Sequence, residues 1–287
     1  HGGGEVDSRE EVRPRADDYD NGIRSRGWLM QHIVSLSGGT ASAVAADRVL
    51  TRYGPENTTL WFADTSWEDE DLYRFLEDLE AYWKVTIVRY KDGRTPLEVA
   101  EQASIIPNSH IAPCSFKLKV EPFRKFIEQL PKPITVHLGM DFTEQHRMIS
   151  PKAKYEEIEG ITVDFPLMWE PVAMPPHRKA TESWGIETPI LYRLGFPHNN
   201  CGGRCVKQGI KEWQRLKHTH PQRFEEVAGW EQAQREKGGP RANFSIMKDR
   251  ARGDSRALPL YELGERKGEQ LRLGTSNEDV IGCFCEY

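Results

Sequence analysis

The sequence predicts an α/β fold with a mostly parallel, doubly wound sheet. Short apolar runs that are typical of buried strands alternate with segments of helical periodicity between His32 and about residue 165. Polar residues or glycines follow three of these runs, and ligands of parallel sheets bind at the carboxyl ends of strands. These observations predict a ligand site at one edge of the sheet.

Five short runs are predicted as strands, and the segment Asp69–Trp83 is predicted as an amphipathic helix. The strands are Ile33–Leu36, Thr58–Ala63, Val85–Val88, Ile134–Leu138 and Thr162–Phe165. The helix has an apolar face at helical spacing, and its acidic residues from Asp69 to Glu80 are predicted to face solvent.

The first strand leads into Ser37–Ser42 (SGGTAS) and a helix of small residues. A strand, a glycine turn and a helix N-terminus form an anion site, because unpaired N–H groups and the helix dipole favour a phosphate. Hydroxyls of Ser37, Thr40 and Ser42 would add donors. The alternative is an ordinary strand-to-helix turn.

Composition divides the chain into three predicted parts. Residues 1–27 are polar and predicted to be flexible, residues 28–170 form the α/β domain that contains this loop, and residues 171–287 form a C-terminal extension with cysteine pairs. The extension is predicted to be irregular and helical, with helices at 206–216 and 222–237 and an exposed loop at 238–257.

Charge and hydropathy narrow the classes of function. The formal net charge of -5 disfavours bulk nucleic-acid binding, although a local basic strip for an RNA or DNA acceptor stays open. No apolar run approaches the roughly 18 residues of a membrane span. Five cysteines, in two close pairs and a singleton, fit a cytoplasmic protein with a metal or redox site better than a secreted disulfide framework.

Four motifs in order resemble the PP-loop ATP pyrophosphatases, and within them the phosphoadenosine phosphosulfate (PAPS) reductase-like family. Ser37–Ser42 is similar to the SGGxDS loop, and Phe62–Thr65 (FADT) is similar to a DTG element. Cys114–Pro122 (CSFKLKVEP) resembles a cysteine-to-KVEP segment, and Val163–Trp169 (VDFPLMW) resembles a PL..W stretch. The resemblance implies a Rossmann-like, adenine nucleotide α-hydrolase-like fold that binds phosphates at the first loop.

The chain departs from the family's pattern at several positions. Thr40 and Ala41 stand where the loop often has Lys and Asp, so a cation is missing, and Lys117, Lys119 or Arg147 could replace it. Ser115 stands where the iron-sulfur members have a second cysteine. The C-terminal sequence GCFCEY also differs from the ECGLH-like motif of the single-cysteine reductases.

The cysteines support two ligand sets. In the preferred set, Cys114, Cys201, Cys205 and Cys283 hold a [4Fe–4S] cluster and Cys285 is free; zinc is the alternative metal. The rival set uses Cys201, Cys205, Cys283 and Cys285 and leaves Cys114 free. A third interpretation makes Cys114 a buried apolar residue and the pairs incidental.

Site roles follow from the resemblance and the chemistry of the residue types. A free thiol beside cations has a lowered pKa and acts as a nucleophile or sulfur carrier, which favours Cys285, Cys283 and Lys119 as catalytic residues. Asp64 binds the nucleoside or a metal, or caps a helix. The predicted nucleotide-binding residues are Ser37, Gly38, Gly39, Thr40, Ser42, Asp64, Thr65, Lys117 and Arg147.

Three hypotheses of function stay open. The first is ATP-dependent adenylation coupled to sulfur transfer onto a nucleobase or small molecule, with Mg²⁺ as the companion of ATP. The second is reduction of PAPS or APS through a cysteine, with a thioredoxin-like reductant. The third is a non-catalytic module that binds a nucleotide or is held together by a metal. A homodimer is compatible with each.

Overall fold

The computed structural model describes residues 30–169, 176–249 and 256–264. It confirms the predicted α/β class with a five-stranded sheet. The strands of this sheet are β1 (Gln31–Leu36), β2 (Thr58–Asp64), β3 (Ile87–Lys91), β4 (Ile134–Leu138) and β5 (Ile161–Asp164). The predicted flexible segment 1–27 and both tail cysteines lie outside the described residues.

The strand order is β3-β2-β1-β4-β5, and every pairing in this sheet is parallel. Leu36 at the end of β1 pairs with Phe62 of β2, and Ser35 pairs with Leu138 at the end of β4. The carboxyl ends of these three strands therefore lie side by side. The turns that follow them meet at one edge, as the sequence predicts.

Helices cover both faces of the sheet. The helices are α1 (Thr40–Tyr53), α2 (Glu70–Trp83), α3 (Pro96–Gln102), α4 (Pro113–Ser115), α5 (Glu121–Gln129), α6 (Gln145–Glu156), α7 (His177–Ser183), α8 (Ile190–Arg193), α9 (Ile210–Thr219) and α10 (Pro221–Glu236). Val34 and Phe62 pack against α1 and α2, whereas Ile33 and Trp61 pack against α5 and α6. Alternate residues of a strand point to opposite faces, so the strands of this doubly wound sheet are apolar on both sides.

Two predicted boundaries are wrong by a few residues. The third strand begins at Ile87 rather than Val85, because Lys84 takes a left-handed conformation that ends α2. In the edge strand β3 only Ile87 is buried, so the apolar run that marks a strand in the sequence is short there. The helix predicted from Val206 begins at Ile210, where Glu212 accepts a hydrogen bond from the Gly209 N–H at 3.1 Å.

The predicted solvent-facing acidic side of α2 is partly wrong. Asp69 is buried, accepts a hydrogen bond from the Asp71 N–H at 2.9 Å as the helix N-cap, and pairs with Arg223 at 2.5 Å. Asp71 also accepts a hydrogen bond from the Ile190 N–H at 2.6 Å. These acids connect α2 to the C-terminal part of the chain, whereas Glu77 faces solvent as predicted.

The loop predicted at residues 238–257 contains ordered structure. It includes a short 3₁₀ turn, Gly239–Asn243, and an antiparallel pair of strands, β6 (Met247–Asp249) and β7 (Arg256–Leu258). The buried Glu231 carboxylate accepts hydrogen bonds from the Ile246 and Leu260 N–H groups, each at 2.6 Å. The local composition of residues 238–257 did not predict these strands. Glu231, which accepts the hydrogen bonds of the flanking backbone, lies on α10.

One apolar cluster crosses the predicted boundary at residue 170. Trp67, Leu97 and Ile106 pack with buried residues that lie between Leu191 and Leu263. The division into domains stays a prediction, but the two parts share this cluster. Among the helices described, none has both the length and the apolar character to cross a membrane.

Candidate functional site

The loop after β1 has the backbone geometry of an anion site. Gly38 has a φ of +78°, and Gly39 is an extended N-cap of α1 that provides no side-chain capping bond. An α-helix leaves its first N–H groups without intrahelical acceptors, so the first turn from Thr40 presents backbone donors. The positive end of the helix dipole adds to their attraction for an anion.

The serine hydroxyls of this loop bond within the loop. Ser42 Oγ donates to the Gly39 carbonyl at 3.0 Å and accepts from the Ser37 N–H at 3.1 Å. The two Oγ atoms lie 2.9 Å apart, and Ser37 Oγ accepts from the Gly39 N–H at 3.3 Å. Both serine hydroxyls therefore fix the shape of the loop, and its candidate donors to a ligand are the Thr40 hydroxyl and the backbone N–H groups at the start of α1.

The ends of β2 and β4 meet this loop. A Cβ added at Gly139 would lie 2.8 Å from Ser42 Cα, so the chain after β4 passes closely over the start of α1. Asp64 accepts hydrogen bonds from the Ser66 N–H at 2.7 Å and the Tyr73 hydroxyl at 2.8 Å. It is not the N-cap of α2, since Asp69 fills that position.

Residues 199–204 join the first loop to the β2–α2 connection. Asn199 Nδ2 donates to the Gly38 carbonyl at 2.8 Å, and the Cys201 N–H donates to the Glu68 carboxylate. Arg204 donates to the Trp67 carbonyl at 3.0 Å. Cys201, Gly202 and Gly203 have positive φ angles, which give this short segment its tight turn. The predicted cysteine segment thus lies at the predicted edge.

A pocket at the end of β2 brings together Cys114, Cys201 and Cys205. The side chains that line it also include Thr65, Lys119, Arg204 and Lys207. Burial raises the pKa of the Cys114 thiol, and the opposing effects of Lys119 and Lys207 are smaller. At Cys114, which is the free thiol of the rival ligand set, desolvation outweighs the nearby charges.

The predicted metal ligands are only partly assembled. Three of them line the pocket, but no group of three metal-ligating side chains among the described residues is arranged to hold an ion. The described donors alone do not fit zinc, Mg²⁺ or a [4Fe–4S] cluster, and Cys283 lies outside the described residues. The metal set stays a prediction that iron, sulfide and zinc analysis would test.

The three cations that could replace the missing loop lysine lie in different places. Lys117 is exposed to solvent and forms an ion pair with Glu121 at 3.0 Å. Lys119 lines the cysteine pocket, with its Nζ 3.8 Å from Glu68 Oε1. Arg147 forms an ion pair with the buried carboxylate of Glu144 beyond the end of β4.

Sequence reasoning missed Glu68, Arg178, Tyr192 and Asn199. Glu68 has a fully buried side chain and accepts a hydrogen bond from the Thr65 hydroxyl at 2.8 Å, but in the sequence it is one acid of a run. Arg178 and Tyr192 pack together beside the loop from two short helices. Asn199 lies two residues before Cys201, so a search of the residues flanking the predicted cysteine segment could have identified it.

A pair of buried histidines connects the neighbouring strands β1 and β4. His32 Nδ1 and His137 Nε2 are 2.9 Å apart, and His32 stacks on Tyr53. Burial, followed by the charge of His137, lowers the pKa of His32 to about 4. Burial, with Arg147 and Arg178 nearby, lowers the pKa of His198 to about 4 as well.

These shifts predict acid sensitivity. In the unfolded chain the two histidines have a pKa near 6.5, whereas in the folded chain the pKa of His32 and of His198 is about 4. The unfolded chain therefore binds more protons between pH 6.5 and 4. The contribution of these histidines to stability is present above pH 6.5 and is lost as the pH falls from 6.5 to 4. We expect the urea unfolding free energy to fall between pH 7 and 4.5, by about 2–3 kcal/mol per histidine.

Two variants isolate the contribution of His32. His32→Asn should flatten the pH dependence, whereas substitution of the exposed His218 by Gln should leave it unchanged. Equal slopes in His32→Asn and the parent protein would show that His32 does not cause the acid sensitivity.

The fold is an α/β fold with a glycine loop of anion-site geometry after its first strand. The family model described as "Phosphoadenosine phosphosulfate reductase domain" matches residues 31–145. That region contains β1 to β4 and the Ser37–Ser42 loop, and its match supports the PAPS reductase-like family. This confirms the resemblance found in the motifs.

A solved structure is also similar to the chain. It is the PAPS reductase from Candida auris in a phosphate complex, with 17% sequence identity and a TM-score of 0.42. The similarity covers 60% of this chain and 82% of that one. No curated protein matches the sequence significantly.

Proposed function

We propose that the chain is an enzyme that binds an adenine nucleotide and carries out sulfur chemistry on it with cysteine thiols. The observation that carries this proposal is the cysteine pocket, which lies beside the anion loop. Glu68 and Asn199 belong to the connections that hold the two features together. The match of residues 31–145 to the PAPS reductase domain model supports the binding of an adenine nucleotide.

Within this site the first loop would hold phosphate or sulfate oxygens. The first turn of α1 presents backbone N–H groups, and its helix dipole favours negative charge. Thr65 and Lys119 line the pocket at the end of the neighbouring strand. A nucleotide bound across this edge would bring its terminal group towards the cysteines.

The reaction that we propose first is reduction of PAPS or APS. A cysteine thiolate attacks the sulfonyl sulfur, the S–O bond to the phosphate breaks, and the nucleotide leaves with the electron pair. A second thiol then attacks the cysteine sulfur, which releases sulfite and leaves a disulfide. An external dithiol, such as a thioredoxin-like protein, reduces that disulfide. Cys283 and Cys285 remain the proposed nucleophiles, with Lys119 as a proposed electrostatic helper.

The second candidate is ATP-dependent adenylation with sulfur transfer. Two observations favour it: Ser115 stands in place of a second cysteine, and the C-terminal sequence differs from the reductase motif. The acceptor would be a nucleobase or a small molecule, and the sulfur would come from a persulfide or a cluster. Thr40 in place of the loop lysine counts against ATP cleavage.

One assay distinguishes these functions. The full chain is incubated anaerobically with PAPS, APS or ATP and dithiothreitol, and sulfite, AMP and pyrophosphate are measured. Sulfite from PAPS or APS supports reduction, whereas AMP and pyrophosphate from ATP support adenylation. Nucleotide binding without any product would support the non-catalytic module, and absence of nucleotide binding would refute all the nucleotide-dependent proposals.

Cysteine variants locate the thiol that reacts. We expect Cys285→Ser or Cys283→Ser to lower the product rate by at least about 100-fold, because covalent catalysis needs the thiolate. Cys114→Ser should retain more activity, because burial keeps the Cys114 thiol protonated. The reverse order of effects would assign the nucleophile to Cys114.

A further inference from the structure

A half-buried cation lies beside the anion loop, on an element outside the region that matches the family model. The guanidinium carbon of Arg178, in the first turn of α7, lies 4.3 Å from the centre of the Tyr192 ring. Among the described residues, no carboxylate lies within ion-pair distance of this guanidinium. Burial lowers the pKa of Arg178, as expected for a charge that has lost part of its hydration.

Tyr192 connects this cation to the loop. A Cβ added at Gly39 would lie 2.9 Å from the Tyr192 hydroxyl, so that hydroxyl lies directly against the loop. The helix α7 also packs along α1, where Ala180 contacts the cluster formed by Val44, Ala45 and Leu167. Arg178 is therefore placed beside the start of α1.

A second observation points to a ligand at the same place. The side-chain oxygen of Asn199 is buried, and it has no hydrogen-bond partner within the described part of the chain. Its amide nitrogen donates to the Gly38 carbonyl at 2.8 Å, so the unpaired oxygen lies at the loop itself. A buried acceptor without a partner is unfavourable, and a bound donor would satisfy it.

The surrounding electrostatics agree with an anion site. The pKa of His198, next to Asn199, is lowered first by burial and then by the charges of Arg147 and Arg178. Both guanidinium groups therefore contribute positive potential near the loop. Arg147 also forms an ion pair with Glu144, whereas no carboxylate pairs with Arg178 in the described part of the chain.

We propose that Arg178 supplies the positive charge that the loop lacks, by binding phosphate or sulfate oxygens of the nucleotide held at Gly38–Thr40. Asn199 accepts a hydrogen bond from a hydroxyl of the same ligand. A guanidinium that stacks on an aromatic ring is preorganised for such oxygens. This inference rests on the proposed function and deepens it, since it identifies the residue that selects an anionic nucleotide.

Calorimetric titration of the full chain tests the proposal, with PAPS and ATP as anionic probes and adenosine as a neutral probe. Arg178→Gln should raise the dissociation constant of the tighter anionic probe at least about tenfold and leave that of adenosine unchanged. Arg178→Lys should give an intermediate value, because lysine keeps the charge but not the planar fork.

The matched control is Arg193→Gln. Arg193 is 45% exposed and pairs with Glu187 at 2.7 Å, one residue from Tyr192, so its replacement should change neither dissociation constant. Asn199→Asp is a second variant, which places a negative charge at the loop. Asn199→Asp should weaken the binding of the anionic probe more than the binding of adenosine, and this measurement remains possible if Arg178→Gln fails to fold.

The outcomes separate the two proposals. If the parent protein binds none of the three probes, the proposed function itself is wrong. If it binds PAPS or ATP and Arg178→Gln binds them equally well, the proposed role of Arg178 is overturned. An equal loss of adenosine and anionic probes in Arg178→Gln would also overturn it, because the residue would then support the site without contacting the anion.

Discussion

Glu68→Ala should lower the free energy of unfolding by about 3–5 kcal/mol, because it removes a buried carboxylate that accepts two hydrogen bonds and lies beside a buried cation. The fully buried Glu68 carboxylate accepts hydrogen bonds from the Thr65 hydroxyl at 2.8 Å and from the Cys201 N–H. Its Oε1 also lies 3.8 Å from Lys119 Nζ. A single side chain thus holds the end of β2, the cysteine segment and the pocket lysine.

Urea unfolding measures this effect, and two variants control for it. Glu77→Ala removes an exposed carboxylate of the following helix and should change stability by less than about 0.5 kcal/mol. Glu68→Gln keeps an oxygen acceptor but loses the charge, so it should fall between the parent protein and Glu68→Ala. A midpoint for Glu68→Ala equal to that of the parent would show that the three contacts add no stability.

Gly38→Ala should weaken binding of an adenine nucleotide at least about tenfold and lower stability by about 2 kcal/mol or more. Gly38 has a φ of +78°, which costs an L residue about 1–2 kcal/mol. The added Cβ would also lie 2.7 Å from Cδ1 of Leu72, a fully buried core residue. Because Leu72 packs against the sheet, the loop itself must move, and the N–H donors move with it.

Gly93→Ala is the matched control for this substitution. Gly93 has a φ of +96°, but a Cβ added there would meet nothing within 4 Å. It should therefore lose only the stability attributable to backbone strain, and its nucleotide affinity should be that of the parent. Unchanged nucleotide affinity in Gly38→Ala would show that the loop does not contact the ligand.

The central sheet could be predicted because its strands are apolar on both faces. Residues such as Val34, Phe62 and Val136 are fully buried, and such runs are recognisable without any knowledge of their partners. The edge strand β3 was displaced in the prediction, since only Ile87 is buried there. The pair β6 and β7 was missed because its stability depends on the distant Glu231 rather than on local pattern.

The candidate site was predicted where it depends on local motifs and missed where it depends on packing between distant segments. The Ser37–Ser42 loop and Cys201–Cys205 were found, because glycines and cysteines at short spacing are informative in themselves. Glu68 and Arg178 lie in charged or irregular segments, where similar residues usually face solvent. Their importance arises from burial that only the folded chain shows.

Serine hydroxyls and cysteine charge were misjudged for a related reason. Sequence reasoning assigned donors and pKa values from residue type, but Ser37 and Ser42 bond to each other and Cys114 is desolvated. A hydroxyl has one proton to give, and a thiolate needs hydration or a stronger neighbouring charge. Neither condition can be judged from spacing alone.

The apolar cluster that Trp67, Leu97 and Ile106 share with residues 191–263 has a consequence for synthesis of the chain. The ribosome makes Trp67, Leu97 and Ile106 long before their partners in residues 191–263. The apolar surface of these three side chains is therefore incompletely covered during the synthesis of more than half of the described chain. Contacts of such large sequence separation also slow folding. Residues 31–145 therefore cannot complete their apolar packing until the C-terminal part of the chain has been made.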